Sequence, residues 1–247
     1  MNQPQLRAAP VRQVRRVCLS LACTLGFVGL VDGSLQAFAS DALVGGDFAT
    51  LDGWELAKAT EDLQRQIIPQ NSPFTDVFPD NGSCFSASNS QMDVMRQNFS
   101  PISGKAIWSF DFLMKSSDPD SEAHAGHIVI LLNGDERHSQ VNVGRNARFN
   151  HFLSTDKETQ WSTPKDFELA QDVWWHFSCE IDFENQTYNV TMRSEAGDSI
   201  ESGPLDFPQD EEKDRSAVDG ILIRGGGGGY TKSAGMYFDN ISLRPAN

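Results

Sequence analysis

The sequence predicts an all-β protein, an antiparallel β-sandwich or barrel, and three observations carry that prediction. From Val173 to Met192 side-chain character alternates residue by residue, with Trp175, Phe177, Cys179, Ile181 and Phe183 on one face and Trp174, His176, Ser178, Glu180 and Asp182 on the other. Strand-like segments with turn-rich connections recur along the rest of the chain. No internal repeat and no long helical period interrupts them.

Taken in order, residues 1–39 read as a secretory signal peptide. Arg7, Arg12, Arg15 and Arg16 precede an apolar run from Val17 to Val31, and Ala37-Phe38-Ala39 offers a small-residue cleavage site. The run falls short of the roughly 20 apolar residues of a membrane span, so no membrane insertion is expected and the product is secreted, periplasmic or in the cell envelope. Residues 40–247 are long enough for one well-buried domain. Strands are expected at Leu43–Phe48, Gly53–Ala57, Ala106–Met114, His127–Leu132, Ser139–Val143, Val173–Phe183, Tyr188–Met192, Val218–Ile223 and Gly235–Leu243. In Ala106–Met114, Trp108, Phe110, Phe112 and Met114 share a face, and His127–Leu132 is apolar on both faces, as in a strand covered on each side. Glu61–Ile68 is expected as a short helix. Asn71–Ser90, with its prolines and turn dipeptides, is expected to cross the surface. Residues 184–187 supply the turn of a hairpin. The glycines at 225–229 lead into another strand rather than a helix, which suits a flexible connection and not a phosphate-binding loop.

The chain carries a formal charge of −14, and the 16 basic and 33 acidic residues left after residues 1–39 give −17. That excess excludes nucleic acid as a partner. Two cysteines remain beyond residue 39, Cys84 and Cys179. An oxidising compartment and an even pair point to one disulfide between them, with a buried free thiol as the alternative because Cys179 sits on an apolar strand face.

Leu43–Phe48 (LVGGDF) with Leu51-Asp52-Gly53-Trp54 after it, the central 175–190 hairpin and the closing Met236–Leu243 (MYFDNISL) resemble the concanavalin A-like lectin/glucanase superfamily, above all its laminin-G-like and carbohydrate-module branches. The resemblance implies a jelly roll whose first and last strands pair and whose concave sheet holds a poly- or oligosaccharide. It would bring Asp47 and Asp239 together, as ligands of a structural calcium ion or as unpaired edge carboxylates. Such proteins include binding modules and enzymes, and fold alone does not choose between them.

The binding groove is expected on the polar faces of two strands, with His138, Gln140 and Asn142 on one and Trp174, His176 and Ser178 on the other. Aromatic rings suit the C–H face of a sugar and planar amides its hydroxyls. Glu180-Ile181-Asp182-Phe183-Glu184 resembles the nucleophile, helper and acid signature of a retaining β-glucanase family, although Asn185-Gln186-Thr187-Tyr188 departs from that pattern. Tyr230–Tyr237 resembles a strand of jelly-roll alginate lyases, which would cast His127, Arg145 and Tyr237 in an elimination. The histidines show no spacing that converges on zinc. The expectation is a secreted, non-catalytic carbohydrate-binding domain. A polysaccharide lyase or glycoside hydrolase of the same fold is the first alternative, and an adhesive envelope protein without a glycan ligand the second.

Overall fold

The computed structural model describes residues 41–55, 65–75, 77–87, 93–115, 127–143, 148–151, 159–164, 167, 169–207, 214–225 and 235–246. Residues 1–39, expected as a signal peptide, and most of the glycine run lie outside them. The described residues contain no helix and form thirteen strands. These are β1 (Arg65–Ile68), β2 (Cys84–Ala87), β3 (Asp93–Ser103), β4 (Lys105–Lys115), β5 (His127–Asn133), β6 (Glu136–Val143), β7 (Arg148–His151), β8 (Thr159–Ser162), β9 (Trp174–Asp182), β10 (Thr187–Ser194), β11 (Ser199–Asp206), β12 (Ala217–Gly225) and β13 (Gly235–Pro245). Seven make one antiparallel sheet in the order β1-β2-β13-β4-β9-β10-β11, and six make the other in the order β3-β12-β5-β6-β7-β8. The architecture is an antiparallel two-sheet sandwich of jelly-roll type, open rather than closed into a barrel, as the resemblance implies.

The core lies between the sheets and is built on the central pair β4 and β9. Phe110 pairs with Phe177 in register, and their rings stack at 4.8 Å while Trp108 meets Phe177 edge-on at 5.4 Å. The opposing sheet closes this layer with Met95, Val129, Leu131, Val141, Val143, Val218, Ile221 and Ile223, all buried. β5 is covered on both faces as its sequence requires: Val129 and Leu131 belong to the inter-sheet core, while Ile130 and Leu132 form an outer apolar patch with Leu222.

The opening segment braces the sandwich without forming a strand. Leu43–Phe48 turns tightly, and of Gly53–Ala57 the described residues 53–55 contribute a single bridge, from Glu55 to β3. Among the described residues the strands expected there do not form, because their main-chain groups find other partners. Ala42 and Gly46 bond to β13, and the buried Gln97 side chain clamps Val44 from both sides, accepting its N–H at 2.7 Å and donating to its carbonyl at 2.8 Å. Gly46 sits so close to Ile241 that a Cβ would lie 1.9 Å from the Ile241 carbonyl oxygen. Trp54 is a core residue. The helix expected over Glu61–Ile68 is also corrected over its described part, since Arg65–Ile68 pairs with β2; β-branched Ile67 and Ile68 are at home in a strand.

Removal of the ring at the middle of the core tests this account. Phe110→Ala is expected to lower the unfolding free energy by about 3–5 kcal/mol, read as a fall in the urea midpoint without a change in slope.

Candidate functional site

Because strand side chains alternate, placing Phe110, Phe177 and Phe238 inward turns their neighbours out onto the far face of the seven-stranded sheet. Register then aligns these outward residues in rows that cross the strands. One row reads Asp239, Asp111, His176 and Arg193 along β13, β4, β9 and β10, with Cys84 of β2 beyond Asp239. The row above holds Tyr237, Leu113 and Trp174. Below runs a hydroxyl row of Ser242, Ser109, Ser178 and Thr191, and below that Arg244, Ile107, Glu180 and Asn189.

The acidic row is a buried hydrogen-bonded network. His176 Nδ1 lies 2.6 Å from Asp111 Oδ1, and Asn240 Nδ2 donates to Asp111 Oδ2 at 2.7 Å. Asp239 accepts from the Asn240 and Ser72 N–H groups, each at 2.8 Å. Over the network lies the segment Asn71–Thr75. Phe74 sits 5.5 Å from the His176 ring and 5.0 Å from the Arg193 guanidinium, and its carbonyl accepts from Asn240 Nδ2. Burial, with the charges of Asp111 and Asp47 adding to it, raises the Asp239 carboxyl to about 7.

The lowest of these rows borders an open groove of about 680 Å³, lined by Lys105, Ile107, Glu180, Asn189, Pro204 and Arg244. Glu180 is exposed. Asn189 is held by Ser202 Oγ, which donates to its side-chain oxygen at 3.2 Å. At the groove's end Asp182 accepts from Asn185 Nδ2 at 2.7 Å and from the Asn185 N–H at 2.9 Å. These bonds, the Asn185 side chain first, hold its carboxyl below the usual range. Asp182 thus caps the hairpin turn, with Lys105 Nζ at 3.7 Å, and Glu184 is exposed within that turn. Of the three carboxylates at 180, 182 and 184, only Glu180 is free to face a ligand in the groove.

The two halves of the groove expected from sequence separate. Trp174 and His176 are on the outer face of the seven-stranded sheet, but His138, Gln140 and Asn142 are on β6 of the other sheet. His138 stands at a bulge, where Leu131 pairs with Ser139 and Leu132 with Arg137. The bulge turns it inward against Phe183 and Phe207, at 5.3 and 5.8 Å. Burial lowers its pKa to about 4, so it is a neutral core histidine. Gln140 pairs with Ile130 beside the outer apolar patch, and its side-chain oxygen is buried. Asn142 is half-buried two residues further along. Trp174 is itself covered, packing with Cys84 and Leu113 in a cluster that Phe74 and Tyr237 pack against.

The disulfide is corrected. Cys84 and Cys179 are both free and buried, Cys84 on the outer face of the seven-stranded sheet and Cys179 in the inter-sheet core. A sheet lies between them. Burial pushes both thiols upward, Cys84 to about 12. Asp47 and Asp239 are near enough for their charges to interact, but Asp47 Oδ1 accepts from the Ala49 N–H. Among the described residues no group of three or more His, Cys, Asp or Glu is arranged to hold a metal ion. The Asp111–Asn240 network was missed in the sequence: Asp111 is one polar residue in an apolar run, and its burial shows only once the β1–β2 connection is in place.

The raised Asp239 pKa gives a pH prediction. A carboxyl with a native pKa near 7 and an unfolded value near 3.8 is protonated more readily when folded. Its contribution to stability is full below the unfolded pKa and is lost as pH rises through about 7. The difference in melting temperature, Asp239→Asn minus wild type, is therefore expected to grow more positive between pH 4 and pH 8 in calorimetric scans. A flat difference would overturn the assignment.

No family model matches the sequence, and no curated protein does. In three dimensions the chain is similar to the catalytic domain of a glycoside hydrolase family 131 β-glucanase from Podospora anserina, with 18% identity over 67% of this chain and 73% of that one and a TM-score of 0.42. It is similar to a sialidase at 12% identity over 85% of this chain, with a TM-score of 0.48, and spans 19% of that protein's length. Arcelin-5, a lectin-like defence protein from Phaseolus vulgaris, overlaps at 11% identity over 80% of this chain and 93% of its own, also with a TM-score of 0.48. The likeness concerns the sandwich and carries no site residue across.

Proposed function

We propose that the protein is an exported carbohydrate-binding domain that seats a poly- or oligosaccharide chain, without cleaving it, in the groove on the outer face of the seven-stranded sheet. The observation that carries this reading is the row Arg244, Ile107, Glu180, Asn189, with Pro204 beside it. Neighbouring strands lie about 4.8 Å apart, so donor, apolar, acceptor and amide groups succeed one another on the scale of a sugar ring. Ile107 and Pro204 offer surface to C–H groups, while Arg244, Glu180 and Asn189 offer partners to hydroxyls. Cleavage by two carboxyls needs a second free carboxyl about 5–10 Å from the first, and in this groove Asp182 is committed to the turn. Export rests on the leader-like residues 1–39.

The test is retention on cellulose, curdlan, chitin, xylan and alginate, with calcium and with chelator, while supernatants are assayed for reducing ends and unsaturated products. Retention without product is expected. Glu180→Gln and Arg244→Ala should each weaken it about tenfold, the loss of one charge-assisted bond. Product release would move the protein to the hydrolases or lyases, and loss of retention in chelator would bring Asp47 and Asp239 back as a calcium pair. Absence of both retention and product would favour an adhesive role.

A further inference from the structure

β1 and β2 pair as a hairpin, yet 15 residues, 69–83, connect them. Hairpins commonly use two to five, and connections this long without strands or helices are usually functional loops or lids. The middle of this one, Asn71–Thr75, lies over the acidic row. Among the described residues two hydrogen bonds fasten it to the sheet, from the Ser72 N–H to Asp239 Oδ2 and from Asn240 Nδ2 to the Phe74 carbonyl, each 2.8 Å. The Ser72 Oγ contact with the Phe74 N–H and the Asn71 Nδ2 bond to the Ser72 carbonyl stay within the segment. No ladder bond of its own holds the segment down, and elements held this way open locally before the fold does.

Phe74 is half-buried between a histidine ring and a guanidinium, and it packs against the outer-face cluster of Cys84, Leu113 and Trp174, the last being the one tryptophan placed on an outer sheet face among the described residues. Between this covered aromatic and the open groove runs the hydroxyl row, where Ser109 Oγ is buried and has no hydrogen-bond partner in the described structure. A buried hydroxyl without a partner is costly, and a hydroxylated ligand crossing the row would supply one. The acidic row, the hydroxyl row and the groove are continuous on one sheet face.

We infer that Asn71–Thr75 is a lid whose Phe74 occupies a second subsite floored by Trp174, and that a glycan chain seated in the groove displaces Phe74 and extends across Ser109 onto that tryptophan. The inference rests on the carbohydrate-binding reading above. The shut lid lowers apparent affinity by the fraction of molecules that are open, so a lid that no longer closes should bind more tightly.

Two buried thiols report on the lid without any ligand. Cys84 belongs to the outer-face cluster that Phe74 packs against and Cys179 to the inter-sheet core, so the full-length protein is treated with N-ethylmaleimide in native buffer and each site is followed by peptide mass mapping. Cys84 is expected to react at least tenfold faster than Cys179, and faster again in Phe74→Ala, with Phe74→Leu as a milder variant should alanine impair folding. On the same cellulose, curdlan, chitin and xylan particles, the variant should be retained several-fold more tightly than wild type. Equal, slow reaction at the two cysteines would show no lid and overturn the inference. Fast reaction at Cys84 with retention unchanged or weakened in the variants would leave an opening lid but remove Trp174 as a glycan subsite. If neither wild type nor variant is retained on any polymer, the carbohydrate reading itself fails and the subsite falls with it.

Discussion

The aromatic inner face of β4 and β9 is the constraint on which the rest of this structure depends. Trp108, Phe110 and Phe112 on one strand and Trp175 and Phe177 on its neighbour have to be inside together. Large rings buried at a few kcal/mol each permit no slip, because a shift of one residue would put the whole set in water. The same register decides what faces outward. With Phe110 opposite Phe177, Asp111 is opposite His176 and Ile107 opposite Glu180. The polar rows on the outer face are thus set in place by packing on the inner one, without a separate element to position them.

A buried acidic row would be expensive if its members were unpaired. Here Asp111 is satisfied on one oxygen by His176 and on the other by Asn240, and Asp239 by two main-chain N–H groups. One of those N–H groups belongs to Ser72, so the β1–β2 connection is part of the solution. The network and the segment above it stabilise each other: the row offers acceptors to a stretch with no ladder of its own, and the stretch excludes water from the row. Polar networks of this kind specify one arrangement when every member is paired.

What could be read in the sequence follows from what periodicity measures. The hairpin at 173–192 and the run at 106–114 were legible because strict alternation of large apolar and polar residues separates inside from outside. β3 was not, since its inward set includes Gln97, whose amide serves as a clamp for Val44 and breaks the apolar pattern. β11 was not, because an exposed edge strand containing Gly203 and Pro204 carries a loop's composition. Alternation also says nothing about which sheet a strand joins. That is why the polar residues of β6 and β9 read as one groove although they lie in different sheets, and why Cys84 and Cys179 read as a possible pair although a sheet separates them. His138 was beyond reach for a further reason: a single bulge residue reverses the face to which it belongs.

The network also depends on a feature far from it in sequence. In β13, Asp239 pairs with Asp111 and Ser242 with Ser109, so Asn240 and Ile241 together stand opposite Phe110 alone. Asn240 takes up a positive φ of 50°, a conformation that asparagine tolerates better than most residues. The Ile241 N–H leaves the sheet to bond the Gly46 carbonyl at 2.8 Å, across an approach that has no room for a Cβ on Gly46. The glycine is therefore what lets the opening segment draw Ile241 out of register. The bulge that results lets the Asn240 side chain reach both the Asp111 carboxylate and the Phe74 carbonyl. Gly46, the bulge, Asn240 and the segment over Trp174 form one chain of dependence, and a side chain at Gly46 would be felt on the outer face of the sheet as well as in the core.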